Sequence, residues 1–230
     1  MSSEPYADVR EMYMAHAMFR REFGLLPALI SGATAADATR ARIIAEHYDL
    51  IHLTLHHHHQ AEDTYLWPRL VSRAGPETPS IVAAMEAQHE QLDKVLAEVT
   101  AGVAGWRETA DPVQGARLAE AAARLNGLLA EHLAAEEEQA VPLIARYVTA
   151  AEWGKMVAAS AVGIEPELMP LIFGLMMYEG DPEVVRDAID HLPPEVRPVM
   201  AELAAGAFAR HAERVHGTPA PAKSGKSDEL

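Results

Sequence analysis

An all-α fold, an up-down-up-down four-helix bundle carrying a further helical segment at its C-terminal end, is what this sequence predicts. Three observations point to it. Stretches rich in Ala, Leu, Glu and Arg place apolar residues at helical spacing, while the alternation expected of strands is nearly absent. One pattern is written twice: His58-x-x-x-Glu62 with Pro68 six residues on, and His132-x-x-x-Glu136 with Pro142 six residues on. A lone histidine precedes each copy at matching distance, His16 lying 42 residues before His58 and His89 lying 43 before His132. The chain thus reads as a two-helix unit used twice.

The first helix is expected over about residues 5–29, with Met12, His16, Phe19 and Phe23 on one stripe and Gly32 beyond its end. The second should run from about 36 to 72, bounded by Gly75, Pro76 and Pro79, with His58 near its middle. The third, about 80–103, buries Val82, Met85, His89, Leu92 and Leu96, and the fourth, about 112–147, buries Leu118, Leu125, Leu129, His132, Glu136 and Leu143. Short connections force antiparallel neighbours. Pro68 and Pro142 fall inside the second and fourth helices, where each removes a backbone hydrogen bond and should bend or end the last turns. Residues 1–148 therefore form the bundle domain. Shorter helical pieces follow at about 151–162, 166–178, 182–190 and 194–215; their Trp153, Phe173, Met176, Met177 and Phe208 need a surface, and the bundle is the nearest. Residues 149–216 are accordingly a C-terminal extension packed on the bundle, serving as a lid or a homodimer interface. Residues 217–230, rich in Pro, Ala, Ser, Lys and Gly, are expected to lack order.

Composition narrows the chemistry. A formal net charge of −15 over 230 residues, with no basic stripe, argues against a nucleic-acid partner. With no cysteine, any metal must be held through nitrogen and oxygen, and the twelve histidines then stand out. The most apolar stretch, 168–178, is broken by Pro170 and Gly174 and is too short for a bilayer, which needs about 20 residues, so no membrane role is expected. The polar N-terminus carries no secretory signal pattern, which gives a cytoplasmic expectation, and the final Ser-Asp-Glu-Leu is read as a chance likeness to a retention tail.

A four-residue step is about one helical turn, so each His-x-x-x-Glu pair presents an imidazole and a carboxylate on one face. Four helices would then bring His16, His58, Glu62, His89, His132 and Glu136 to one interior point, a ligand set for two metal ions. A lone His16 or His89 on an apolar stripe is ordinarily a core histidine; the two motifs shift that balance toward ligation. The run His56 to His59 is internal, so it is not a terminal tag, and only two of its members can face one metal; His52 and His56 project outward. Of Glu136-Glu137-Glu138 one member faces inward and the other two read as a solvated face. His47, His191, His211 and His216 fall in no cluster that spacing defines.

The residues around His16, His58-His59-x-x-Glu62 with Trp67-Pro68, His89, and His132-x-x-x-Glu136-Glu137 with Val141-Pro142 resemble the hemerythrin-like, or HHE cation-binding, family over about residues 10–147. The resemblance implies a non-haem centre of two iron ions, bridged by Glu62 and Glu136, capped by histidines and sharing an oxo or hydroxo bridge. Oxygen-carrying members resemble a His-x-x-x-His pair on the third helix, whereas the positions four residues either side of His89 are Met85 and Asp93. His59, Tyr65, Asp93 or water is left to fill the missing position. A site poorer in nitrogen favours the ferric state, so dioxygen or hydrogen peroxide handled in a catalase-like or peroxidase-like reaction is the leading expectation. Binding or sensing of oxygen, nitric oxide or iron without turnover is the second, and a structural or hydrolytic zinc site the third.

Overall fold

A computed structural model of the chain describes residues 4–33 and 35–223. Four long helices make the bundle: α1 (Arg10–Ser31), α2 (Ala38–Tyr65), α4 (Thr78–Trp106) and α5 (Pro112–Gln139). Each touches its two neighbours in the order α1, α2, α4, α5 and back to α1, as an up-down-up-down ring requires. Asp37 and Asp111 cap α2 and α5 by accepting from the amides of Arg40 and Gln114.

The two internal prolines act alike. The second helix stops at Tyr65 and restarts as α3 (Trp67–Arg73); the fourth stops at Gln139 and restarts as α6 (Val141–Tyr147). Leu66 and Ala140 sit at equivalent joints, their amides donating to Glu62 O at 2.8 Å and Glu136 O at 2.9 Å. Because proline has no N–H, the ladder cannot continue past either joint. The Tyr65 carbonyl beside the break is taken up by the Arg69 guanidinium. The expected single helices over 36–72 and 112–147 are thus each two helices. At the N-terminus, helix begins at Arg10 and not at residue 5: Ala7 N donates to Val148 O at 2.9 Å and Ala150 N to Pro5 O at 2.8 Å, which holds residues 5–7 extended.

The C-terminal segment comprises α7 (Ala150–Ser160), a 3-10 turn at Pro166–Leu168, then α8 (Met169–Met177), α9 (Pro182–Asp190) and α10 (Arg197–His216). Helix α7 lies on α2, α8 on α1, and α10 on α8 and α2. Ile172, Leu175, Phe208 and Ala212 join the same apolar cluster as Phe19, Phe23 and Leu55 of the bundle. The α8–α10 contact is so close that a Cβ on Gly174 would stand 2.3 Å from the Ala204 carbonyl oxygen. Of the tail, Pro221 is buried and its carbonyl accepts from Tyr178 Oη at 2.8 Å; residues 224–230 fall outside the described residues. No helix among the described residues is long and apolar enough to cross a membrane.

Two apolar layers fill the bundle. One runs through Phe19, Leu55, Leu92 and Leu129, the other through Met12, Leu66, Met85 and Ala140. On every bundle helix the interval between them is occupied by polar residues: His16 on α1, His58 to Glu62 on α2, His89 on α4, and His132 to Glu136 on α5. Packing therefore sets a polar level between these two apolar layers.

Candidate metal centre

At that level the six residues expected from spacing come together with a seventh. His16, His58, Glu62 and Glu136 offer donor atoms all within 4.8 Å of one another, and His59, His89 and His132 form an adjoining group by the same measure. Of the three sequence candidates for the missing position, His59 is the one the fold brings to the cluster: its ring stacks on His89 at 4.1 Å between centroids and meets His132 edge-on at 5.1 Å. Asp93 is solvent-exposed, and Tyr65 is half-buried under the Arg69 guanidinium, so neither joins the cluster. The expectation of a nitrogen-poor site is corrected accordingly: five imidazoles face two carboxylates.

The glutamates span the two groups. Glu62 turns Oε1 toward His58 Nε2 at 3.0 Å and Oε2 toward His89 Nε2 at 3.7 Å. Glu136 Oε2 faces His16 Nε2 at 3.3 Å and His132 Nε2 at 3.8 Å. Each carboxylate thus addresses both halves of the cluster, the placement a bridging ligand needs.

Outer hydrogen bonds fix the imidazoles. His16 Nδ1 meets Glu137 Oε1 at 2.9 Å, His89 Nδ1 meets Asp63 Oδ1 at 2.9 Å, and His132 Nδ1 meets Gln88 Oε1 at 3.1 Å. Donation from Nδ1 to these oxygens orients each ring with Nε2 toward the interior, the position from which it would meet a cation. Arg20 steadies Glu137 with a two-pronged ion pair, and Trp67 Nε1 donates to Asp63 at 2.9 Å. Asp63 and Glu137 are the residues that follow Glu62 and Glu136. The duplication therefore includes them, and it is exchanged across the bundle: the acid of each half supports the lone histidine of the other. Glu137 was expected on a solvated face; its contact with His16 corrects that, and the signal was an acid immediately after each inward glutamate.

The donor set fits a cation. His16, His58 and His59 Nε2 and all four carboxylate oxygens of Glu62 and Glu136 are buried without a hydrogen-bond partner. Leaving such atoms stranded costs roughly 1–3 kcal/mol each, more for charged groups. His89 Nε2 and His132 Nε2 stand 3.2 Å apart, within hydrogen-bond distance of each other. Burial drives His58 and His132 down to about 3 and His59 well below the usual imidazole range, so all three are neutral donors at neutral pH. Burial also raises Glu62, reinforced by the Glu136 charge beside it, whereas His16 is lifted to about 9 because Glu136 and Glu137 outweigh its desolvation.

A second convergence lies outside the repeated motifs. Glu22, His47 and His216 offer donors within 4.8 Å of one another, and His211 touches His47 at 3.0 Å. Spacing placed His47, His211 and His216 in no cluster, because α10 joins only through the tertiary fold. His191, by contrast, has a side chain 78% exposed. His52 is half-buried against the Tyr48 ring, which corrects its expected outward solvation.

Comparison with curated proteins and with solved structures gives no match. The family model described as the hemerythrin HHE cation-binding domain matches residues 7–144, more than half of the chain and all seven clustered side chains. The duplicated motif, the four-helix ring and the buried histidine–glutamate level thus have one family context: the chain belongs to the hemerythrin HHE cation-binding domain family.

Proposed function

We propose that this protein is a non-haem di-iron protein acting on dioxygen or hydrogen peroxide, with catalase-like or peroxidase-like turnover. The observation that supports it best is the pair of buried glutamates, each facing histidines of both groups with its oxygens otherwise unpartnered. One iron would take His16 and His58, the other His59, His89 and His132, with Glu62 and Glu136 shared and an oxo or hydroxo bridge between the metals. Imidazole and carboxylate suit iron, and two such ions supply one-electron and two-electron chemistry toward oxygen species. The chain's own contribution is positioning and shielding. Phe19, 5.1 Å from the His58 ring, and Trp67, 6.4 Å from the His89 ring, wall the level off from water. His16, Glu137 and Arg20 form a hydrogen-bonded line from the buried level toward the surface, through which a change of charge inside is felt outside.

A second reading, reversible binding or sensing of oxygen, nitric oxide or iron, draws on two observations. Five imidazoles remove the argument for a strongly ferric site, and Trp153 and Met156 of α7 share an apolar cluster with Leu66 and Trp67, just past the Glu62 turn. Oxygen evolution or donor oxidation on adding hydrogen peroxide to iron-loaded protein separates the two. Catalytic turnover supports the enzyme. Two irons with no turnover move the assignment to binding.

A further inference from the structure

We propose that Glu22, His47 and His216 form a second metal site, built for a divalent cation of the zinc class, that fastens α10 to the bundle. The site shares no residue with the di-iron centre and does not depend on it. Its donors come from three helices, α1, α2 and α10, and His47 stands eleven residues before His58 on α2, about 16 Å along the axis.

The three donors lie within 4.8 Å of one another, and both distances to the carboxylate oxygen suit a shared cation. His47 Nε2 and His216 Nε2 each stand 3.3 Å from the same atom, Glu22 Oε2. That is long for a charge-assisted hydrogen bond, which settles at about 2.7–2.9 Å. It matches the edge of a tetrahedron whose metal–ligand bonds are 2.0–2.1 Å, about 3.3 Å. All three atoms are buried and lack a hydrogen-bond partner.

The surroundings complete the pattern. His47 Nδ1 lies 3.0 Å from His211 Nε2, and with His47 donating from Nδ1 its Nε2 would be left to ligate. Arg21 holds the other glutamate oxygen, Oε1, through Nε at 2.7 Å and Nη2 at 2.6 Å, which leaves Oε2 free to ligate. A groove of about 350 Å3, lined by Leu25, Leu29, Arg40, His216 and Pro221, lies on the His216 side, from which a water would take the fourth position. Two imidazoles, one carboxylate and water suit Zn(II), whose lack of redox chemistry fits a structural fastening.

The test is metal content of the full chain after loading the bundle with ferrous iron, adding Zn(II) and removing excess by gel filtration. Wild-type protein should hold one zinc per chain beyond its iron. H47Q and H216Q should each lose that zinc while keeping iron and the iron optical spectrum, and H211A should weaken zinc about 10- to 100-fold. The exposed-residue control H191Q should behave as wild type. Retention of zinc in folded H47Q and H216Q would overturn the proposal. Should either variant fail to fold, wild-type protein carrying Co(II) in place of zinc decides: intense visible bands of a tetrahedral nitrogen–oxygen site support the assignment, and a weak octahedral spectrum or no binding overturns it.

Discussion

His59 shows how much one side chain changes the account. It has no counterpart in the second copy of the motif, where Leu133 occupies the matching place, so the duplication alone could not recruit it. What recruits it is the rotation of α2, which turns two successive histidines onto the buried level. H59A should therefore bind one iron fewer per chain, whereas Y65F and D93N should keep wild-type content; plasma mass spectrometry reads all three. Asp63 and Glu137 act through the histidines they hold. D63N and E137Q should each weaken iron binding about 10- to 100-fold with the helical circular dichroism unchanged, because they loosen the tautomer and ring angle of His89 and His16 without removing a donor. His16, His58, Glu62, His89, His132 and Glu136 were legible from spacing because a helix repeats every 3.6 residues. His216 and His47 were not, since no local period connects α2 to α10.

Helices carry the second scale. Both proline joints were legible, because a missing N–H has the same effect wherever it falls. Their role in the site was less so: the joints at Leu66 and Ala140 come one turn after the inward glutamates, so the last α2 and α5 turns end at the cluster and α3 and α6 redirect the chain over it. The extended stretch 5–7 was read as helix because its bonding partners, Val148 and Ala150, are remote in sequence. The α8–α10 contact rests on Gly174. G174A should lower the unfolding temperature, at a cost of roughly 1–3 kcal/mol or more from overpacking against Ala204, while iron content stays at the wild-type level. A drop in iron with no loss of stability would show instead that α8 and α10 shape the centre directly.

At the scale of the whole molecule, the buried histidines set the response to pH once metal is stripped. His58 and His132 titrate at about 3 folded against an ordinary 6.5, so the unfolded chain binds more protons between those values and stability falls as pH drops through that window. His16 has the opposite sign: raised to about 9, it contributes stability that is complete below 6.5 and lost as pH rises through 9. Calorimetry of chelated protein should find the highest unfolding temperature near pH 6.5, with declines on both sides. Metal ions tie α1, α2, α4 and α5 together, so loading should raise that temperature throughout. The measurement that bears most directly on the central claim is iron per chain in ferrous-loaded wild-type protein beside H58A and E136Q. The di-iron account predicts two irons in the wild type, with a near-ultraviolet charge-transfer spectrum, and loss of both metal and spectrum in the variants. Zinc in preference to iron, no metal, or full iron retention in either variant would contradict it.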